Sequence, residues 1–85
     1  METAIVLVRC EPGKVAGIGP ALAAVDGIAE VYSVAGDFDV VAILRTTDHE
    51  AIATIITERV LPLDGIRETR TLIAFRQYDA SDIRF

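Results

Sequence analysis

Three segments of this chain are apolar on consecutive residues instead of alternate ones: Ala4–Val8, Val40–Leu44 and Leu72–Phe75. Each is short and bounded by polar or turn-forming residues, and the first two are rich in β-branched side chains, so each reads as a β-strand. Side chains of a strand alternate between two faces. In the first segment Ala4, Val6 and Val8 point one way while Ile5 and Leu7 point the other. In the second, Val41 and Ile43 oppose Val40, Ala42 and Leu44; in the third, Ile73 and Phe75 oppose Leu72 and Ala74. A sheet built from such strands needs cover on both faces. With 85 residues, the chain has enough helix for one of them.

The other means by which small domains gain stability are restricted. Cys10 is the sole cysteine and His49 the sole histidine, which rules out a disulfide within the chain and argues against a structural zinc site. Self-association remains, and 52% hydrophobic residues are more than so small a domain hides alone. The net charge of −5 and the lack of a basic stripe argue against direct nucleic-acid binding. The apolar run Ala4–Val8, stopped by Arg9 and preceded by Glu2, is too short for a membrane span and lacks the basic start of a secretory signal. A lone cysteine suits a reducing compartment. The expected location is cytoplasmic, with no membrane partner and no cofactor.

The remaining elements follow from spacing. Residues 3–11 form the first strand, ended by Pro12-Gly13. Val15, Ile18, Leu22 and Val25 mark one stripe of a helix over 14–25, in which Pro20 should cause a kink or start the last turns. Asp26-Gly27 ends that helix, with Gly27 suited to a left-handed backbone. Residues 28–35 form a second strand, Gly36-Asp37 a tight turn, and residues 39–46 a third strand. Thr47 and Glu50 have the spacing of a capping box for a helix carrying Ile52, Ile55, Ile56 and Val60. Leu61-Pro62-Leu63-Asp64-Gly65 closes it, and residues 66–76 form the fourth strand. A polar tail covers 77–85, and its Ile83 and Phe85 could reach a neighbouring subunit. The order is β-α-β-β-α-β. Val25-Asp26-Gly27-Ile28-Ala29-Glu30 echoes Leu63-Asp64-Gly65-Ile66-Arg67-Glu68, as two related βαβ halves would. Right-handed crossovers then give an α+β, ferredoxin-like fold: a four-stranded antiparallel sheet with both helices on one face. The cheapest cover for the second face is another copy, sheet against sheet.

Few residues could carry chemistry. Asp48-His49-Glu50 are adjacent in a first helical turn and diverge; they read as acidic residues at a helix N-terminus. Cys10 shares a face with Ala4, Val6 and Val8 and reads as a small buried hydrophobe. The glycines at 13, 17 and 19 do not have dinucleotide-binding spacing. Ala35-Gly36-Asp37-Phe38-Asp39 is more informative. It supports a simple turn, and equally a ligand loop in which Asp37 and Asp39 take an ammonium group and the turn amides near Gly36 take a carboxylate. On the fourth strand, Thr69 and Thr71 offer hydroxyls on one face; Arg70, on the other, reads as a solvated charge.

The hairpin Val34-Ala35-Gly36-Asp37-Phe38-Asp39-Val40, the segment Leu61–Ile66 and the following Thr69-Arg70-Thr71 resemble the ligand-binding (RAM) domain of the Lrp/AsnC, or feast/famine, transcription regulators. The resemblance runs from the first strand to the fourth. It implies a domain that dimerises through its sheets into a dimeric α+β barrel, with dimers assembling into rings, often octamers. It also implies a free amino acid bound between dimers by Gly36, Asp37, Phe38, Asp39, Thr71 and, less directly, Thr69. Full-length regulators carry a helix-turn-helix domain before this one. The first strand starts within two residues of Met1, so the chain resembles a stand-alone RAM domain over residues 1–85. The function expected is that of a non-enzymatic amino-acid sensor, acting alone or by co-assembly with a full-length regulator. Two other classes share the element order. A small enzyme of the dimeric α+β barrel type, such as a cofactor-free monooxygenase or isomerase, requires an enclosed pocket holding a convergent acid or base. An ACT-like domain would join sheets side by side.

Overall fold

The computed structural model describes residues 1–80. Its elements are β1 (Glu2–Cys10), α1 (Val15–Ala23), β2 (Ile28–Ser33), β3 (Val40–Thr46), α2 (His49–Ile55), a π-helical turn (Ile56–Val60) and β4 (Ile66–Ala74). The strands form one antiparallel sheet in the order β2-β3-β1-β4. This is the ferredoxin-like α+β fold that the strand and helix patterns imply.

Register separates the two faces. Ala4, Val6 and Val8 of β1 pair with Leu44, Ala42 and Val40 of β3. These residues are buried together with Cys10, and they pack with Ile18 and Leu22 of α1, Ile52 of α2 and Val60. Full burial of each large aliphatic side chain there is worth about 1.5–3 kcal/mol. The opposite face carries Ile5 and Leu7, paired with Ile43 and Val41 on one side and with Leu72 and Arg70 on the other. No element of the described chain covers it: the four aliphatic side chains of β1 and β3 are only half-buried, and Leu72 and Tyr32 are about half exposed.

The two halves echo each other in geometry as they do in sequence. Gly27 and Gly65 both have positive φ (99° and 94°), and each is crossed by a residue from the other half. A Cβ on Gly27 would stand 2.5 Å from Ile55 Cδ1, and one on Gly65 2.7 Å from Lys14 Cβ. Positive φ thus calls for glycine at both junctions, and at Gly65 the close Lys14 stem adds a limit of space. Gly27 lies beyond the α1 C-cap, Ala24, so it turns the chain into β2 instead of ending the helix itself.

Helix α1 contains Pro20 and ends one turn later, at Ala23. The hydrogen bond that proline cannot donate would go to the carbonyl of Ala16, an exposed residue. Other local expectations are corrected. Asp48, not Thr47, caps α2: its carboxylate accepts the Ala51 N–H at 2.8 Å. The β2–β3 connection is wider than a two-residue turn. It spans Val34–Asp39 and is closed by the Val34 N–H donating to the Asp39 carbonyl at 3.0 Å. After Ile55 the helix widens, and the Leu61 N–H reaches back to the Ile56 carbonyl. Ile52, Ile56 and Val60 are spaced by four, which drifts around an ordinary α-helix; the wider π turn reduces that drift and leaves Val60 fully buried. The tail residues Ile83 and Phe85, named above as able to reach a neighbouring subunit, lie outside the described residues.

Candidate functional site

Beyond Val8 and Val40, β1 and β3 cease to pair, and β1 has a register shift against β4 between Arg9 and Cys10. The Cys10 N–H has left the ladder there. It donates instead to the Asp39 carboxylate at 2.8 Å, while the Asp39 N–H donates to the Val8 carbonyl at 2.9 Å. Asp39 is therefore the anchor that ties the β2–β3 loop to the end of β1. Its charge also reaches the neighbouring thiol: burial first, and then the Asp39 carboxylate, push the Cys10 pKa up. Cys10 is buried and holds its proton, in keeping with its reading as a core residue.

A second tether acts on the loop from the open face. Arg9 Nε makes a 2.9 Å ion pair with Glu68 Oε1, and its Nη1 donates to the Asp37 carbonyl. Its guanidinium carbon stands 4.7 Å from the centre of the Phe38 ring, and that of Arg70 stands 5.6 Å from the same centre. Contacts of this kind contribute about 0.5–1 kcal/mol where exposed. Arg70 Nε lies 3.6 Å from Glu68 Oε2. The Arg9 hydrogen bond, followed by the two positive charges, holds the Glu68 carboxyl below the ordinary carboxylate range.

The loop residues singled out from sequence thus fall into distinct roles. Gly36, with φ 137°, gives the loop its turn. Phe38 folds onto the open face of the sheet, and Asp39 is held by β1. The Asp37 carboxylate has no hydrogen-bond or ion-pair partner among the described residues. Thr69 and Thr71 are not brought to the Phe38 side. They pair with Val8 and Val6 and so face the helix layer, at the same end of the sheet; Thr69 is half-buried and Thr71 exposed, because the helices do not extend over β4. Arg9 and Glu68 belong to the cluster and were not identified from sequence. Their signal was present: Arg9 interrupts an apolar strand, and Glu68-x-Arg70 places opposite charges on one strand face.

The far end of the open face holds another polar group. Glu30 accepts hydrogen bonds from the Tyr32 hydroxyl and, at 3.0 Å, from Arg45. Tyr32 first and Arg45 second lower the Glu30 pKa, and Glu30 raises that of Tyr32. A shallow concavity of about 490 Å³ lies here, bordered by Thr3, Ile5, Tyr32, Ile43, Arg45 and Phe75. Neither His49 nor Cys10 borders it. His49 lies 3.2 Å from Glu2 instead. This concavity and the Phe38 cluster are at opposite ends of the face, and the ordered hairpin with its unpaired acid is the better candidate for recognition. Among the described residues no helix is long and apolar enough to cross a membrane.

The family model of the Lrp/AsnC ligand binding domain matches residues 3–83. The crystal structure of TTHA0845 from Thermus thermophilus is similar with a TM-score of 0.88 and 43% identity, over 93% of this chain and 99% of that one. An uncharacterised HTH-type transcriptional regulator of Pyrococcus furiosus is 29% identical over 76 residues, 86% of this chain and 51% of its own. The chain spans about half the length of the curated relatives it matches. A transcriptional regulator of Neisseria meningitidis, solved as its L-Met complex, shares the fold (TM-score 0.80) at 14% identity, over 92% of this chain and 52% of that one.

Proposed function

The chain belongs to the family of Lrp/AsnC ligand-binding domains, and from that premise we propose that it is a non-enzymatic regulatory module that binds a free amino acid and responds through its assembly. The observation that carries this reading is the hairpin Val34–Asp39. It is fastened at Asp39 and Phe38, yet presents the Asp37 carboxylate unpaired at its tip. A loop held this firmly is pre-organised for a ligand, and a free acid suits an ammonium group. The proposed site comprises Gly36, Asp37, Phe38 and Asp39. Thr69 and Thr71 face away from it, so their hydroxyls would meet ligand at a boundary between subunits. That L-Met occupies a regulator of the same fold supports the ligand class.

In this reading a second copy covers the open face, and dimers assemble further into a ring such as an octamer. A ligand favouring one assembly over another by tenfold shifts the balance by about 1.4 kcal/mol. The relatives are named as transcriptional regulators, so co-assembly with a full-length Lrp/AsnC regulator is the proposed route to an effect on transcription. The test is the mass in solution by light scattering, with and without each of the common amino acids. An assembly whose mass or stability responds to one of them supports the sensor. An assembly indifferent to all would contradict it, and a monomer would contradict the covered face as well.

A further inference from the structure

Two helices cover one face of the sheet, and only one of them has an outer surface suited to water. Helix α2 and the π turn expose Glu50, Glu58 and Arg59. From Val15 to Val25, a stretch that includes the whole of α1, no side chain has a polar atom. Ile18 and Leu22 are buried in the core, while Ala16, Gly17, Pro20, Ala23 and Ala24 are exposed. Helical spacing puts these five on the side opposite the core. A helix that is apolar all round belongs in an interior. The glycines make the same point independently. Neither Gly17 nor Gly19 has positive φ, and a Cβ on either would meet nothing within 4 Å beyond its own helix. Nothing in the described chain calls for glycine there, although glycine weakens a helix relative to alanine. A backbone bare of Cβ is what a close neighbour requires. Beside Gly17 a groove of about 440 Å³ lies open between α1 and Leu63, bordered by Gly13 and Ala21 and flanked by the 3.1 Å ion pair of Lys14 and Asp64.

We propose that the outer face of α1 packs against the same face of α1 on another copy, and that this contact joins one sheet-to-sheet pair to the next. It rests on the pairing of open faces proposed above and is independent of the amino-acid reading. Charge favours a second copy as the occupant. Each chain carries −5, and here two copies meet with no charged side chain between them, while Lys14 and Asp64 at the flank neutralise each other. A polar ligand would find no side-chain donor or acceptor on this face. Gly17 lets the two backbones approach closely, as the helix of a single copy does not need. Area sets the order of assembly. A nine-residue helix offers a strip about 14 Å long and about 10 Å wide, well short of the roughly 1,000 Å² that a stable interface buries. The contact is therefore too small to hold two lone chains. It acts once paired sheets present two α1 faces per unit, so that several weak contacts reinforce one another.

The experiment is sedimentation velocity of the whole chain and of Gly17→Glu, Ala23→Glu and Gly17→Ala, without added ligand. The unsubstituted chain should have the mass of about four copies or more. Gly17→Glu and Ala23→Glu, which place like charges in the contact, should each fall to the mass of two copies. Both positions are exposed, and circular dichroism matching the unsubstituted protein would show that the fold is kept. Gly17→Ala separates the contact from the helix. The change improves the helix and meets nothing within the chain, so a helix without a neighbour would keep its mass and gain a few degrees in Tm, whereas loss of the larger assembly is expected here. Glutamate variants that keep the full mass overturn the inference, as does an unsubstituted chain that stops at two copies; both leave the sheet-to-sheet pair standing. An unsubstituted monomer overturns that pair, and the inference with it.

Discussion

Replacing Asp39 with alanine should cost this protein a large share of its stability, although the residue sits in a loop. The Cys10 N–H, at the buried end of β1, donates to the Asp39 carboxylate and has no ladder partner there. A hydrogen bond to a charged group contributes about 1.5–3 kcal/mol, and leaving a buried donor unmade costs a similar amount. Asp39→Ala is therefore expected to destabilise by about 2 kcal/mol, a fall in Tm of roughly 10 °C for a domain of this size. Asp39→Asn keeps an acceptor oxygen at the same place and should lose about half as much. Urea and thermal melts at one fixed protein concentration, since assembly adds to stability, provide the measurement. The Cys10 thiol gives a second readout. Asp39 helps to push its pKa up, so Asp39→Asn should react faster with a thiol reagent at mildly alkaline pH. Melts for Asp39→Ala within about 0.5 kcal/mol of the unsubstituted protein would refute the anchor role.

Gly65→Ala forces a left-handed alanine whose Cβ stands 2.7 Å from Lys14 Cβ; a loss of about 2 kcal/mol or more is expected in the same melts, and a neutral result would show that the junction can relax. Glu68 has a folded pKa below its unfolded one, chiefly through Arg9. Its contribution is therefore complete above the unfolded value and is lost as pH falls through the folded one. Stability should decline across that acidic window more steeply for the unsubstituted protein than for Glu68→Gln, as followed by urea midpoints from pH 6 downward. Leu72, 51% exposed on the open face, should forfeit about 1 kcal/mol per copy when changed to Asp in a sheet-to-sheet pair. Sedimentation would then show a dimer weakened about thirtyfold; an unchanged dimer would place the interface elsewhere.

The fold was legible because its determinants are local or periodic. Consecutive apolar residues marked the strands, and the repeated Asp-Gly-Ile identified both helix-to-strand junctions, where positive φ favours glycine. Helix caps were less legible: Thr47 and Asp48 are neighbours with equal capping chemistry, and only the backbone path selects Asp48. The hairpin drew attention through an aromatic flanked by two acids, but sequence could not divide their labour. Asp39 serves the backbone of a strand 29 positions away, and Arg9 meets Glu68 across 59. Such pairings depend on sheet register, and a charged residue on a strand looks solvated until its cross-strand neighbour is known.

The position of β1 has a consequence for how the chain is made. The first of these four strands to leave the ribosome is an inner strand of the sheet, and both of its neighbours are synthesised later. Its β3 side can be satisfied once residue 46 has emerged, but Thr3 waits for Ala74. Until then β1 carries an unpaired apolar edge, so a nascent chain is most exposed to misassociation until β4 has emerged. Sequence-distant closure of this kind slows folding, and a stalled product ending before β4 would keep that edge open.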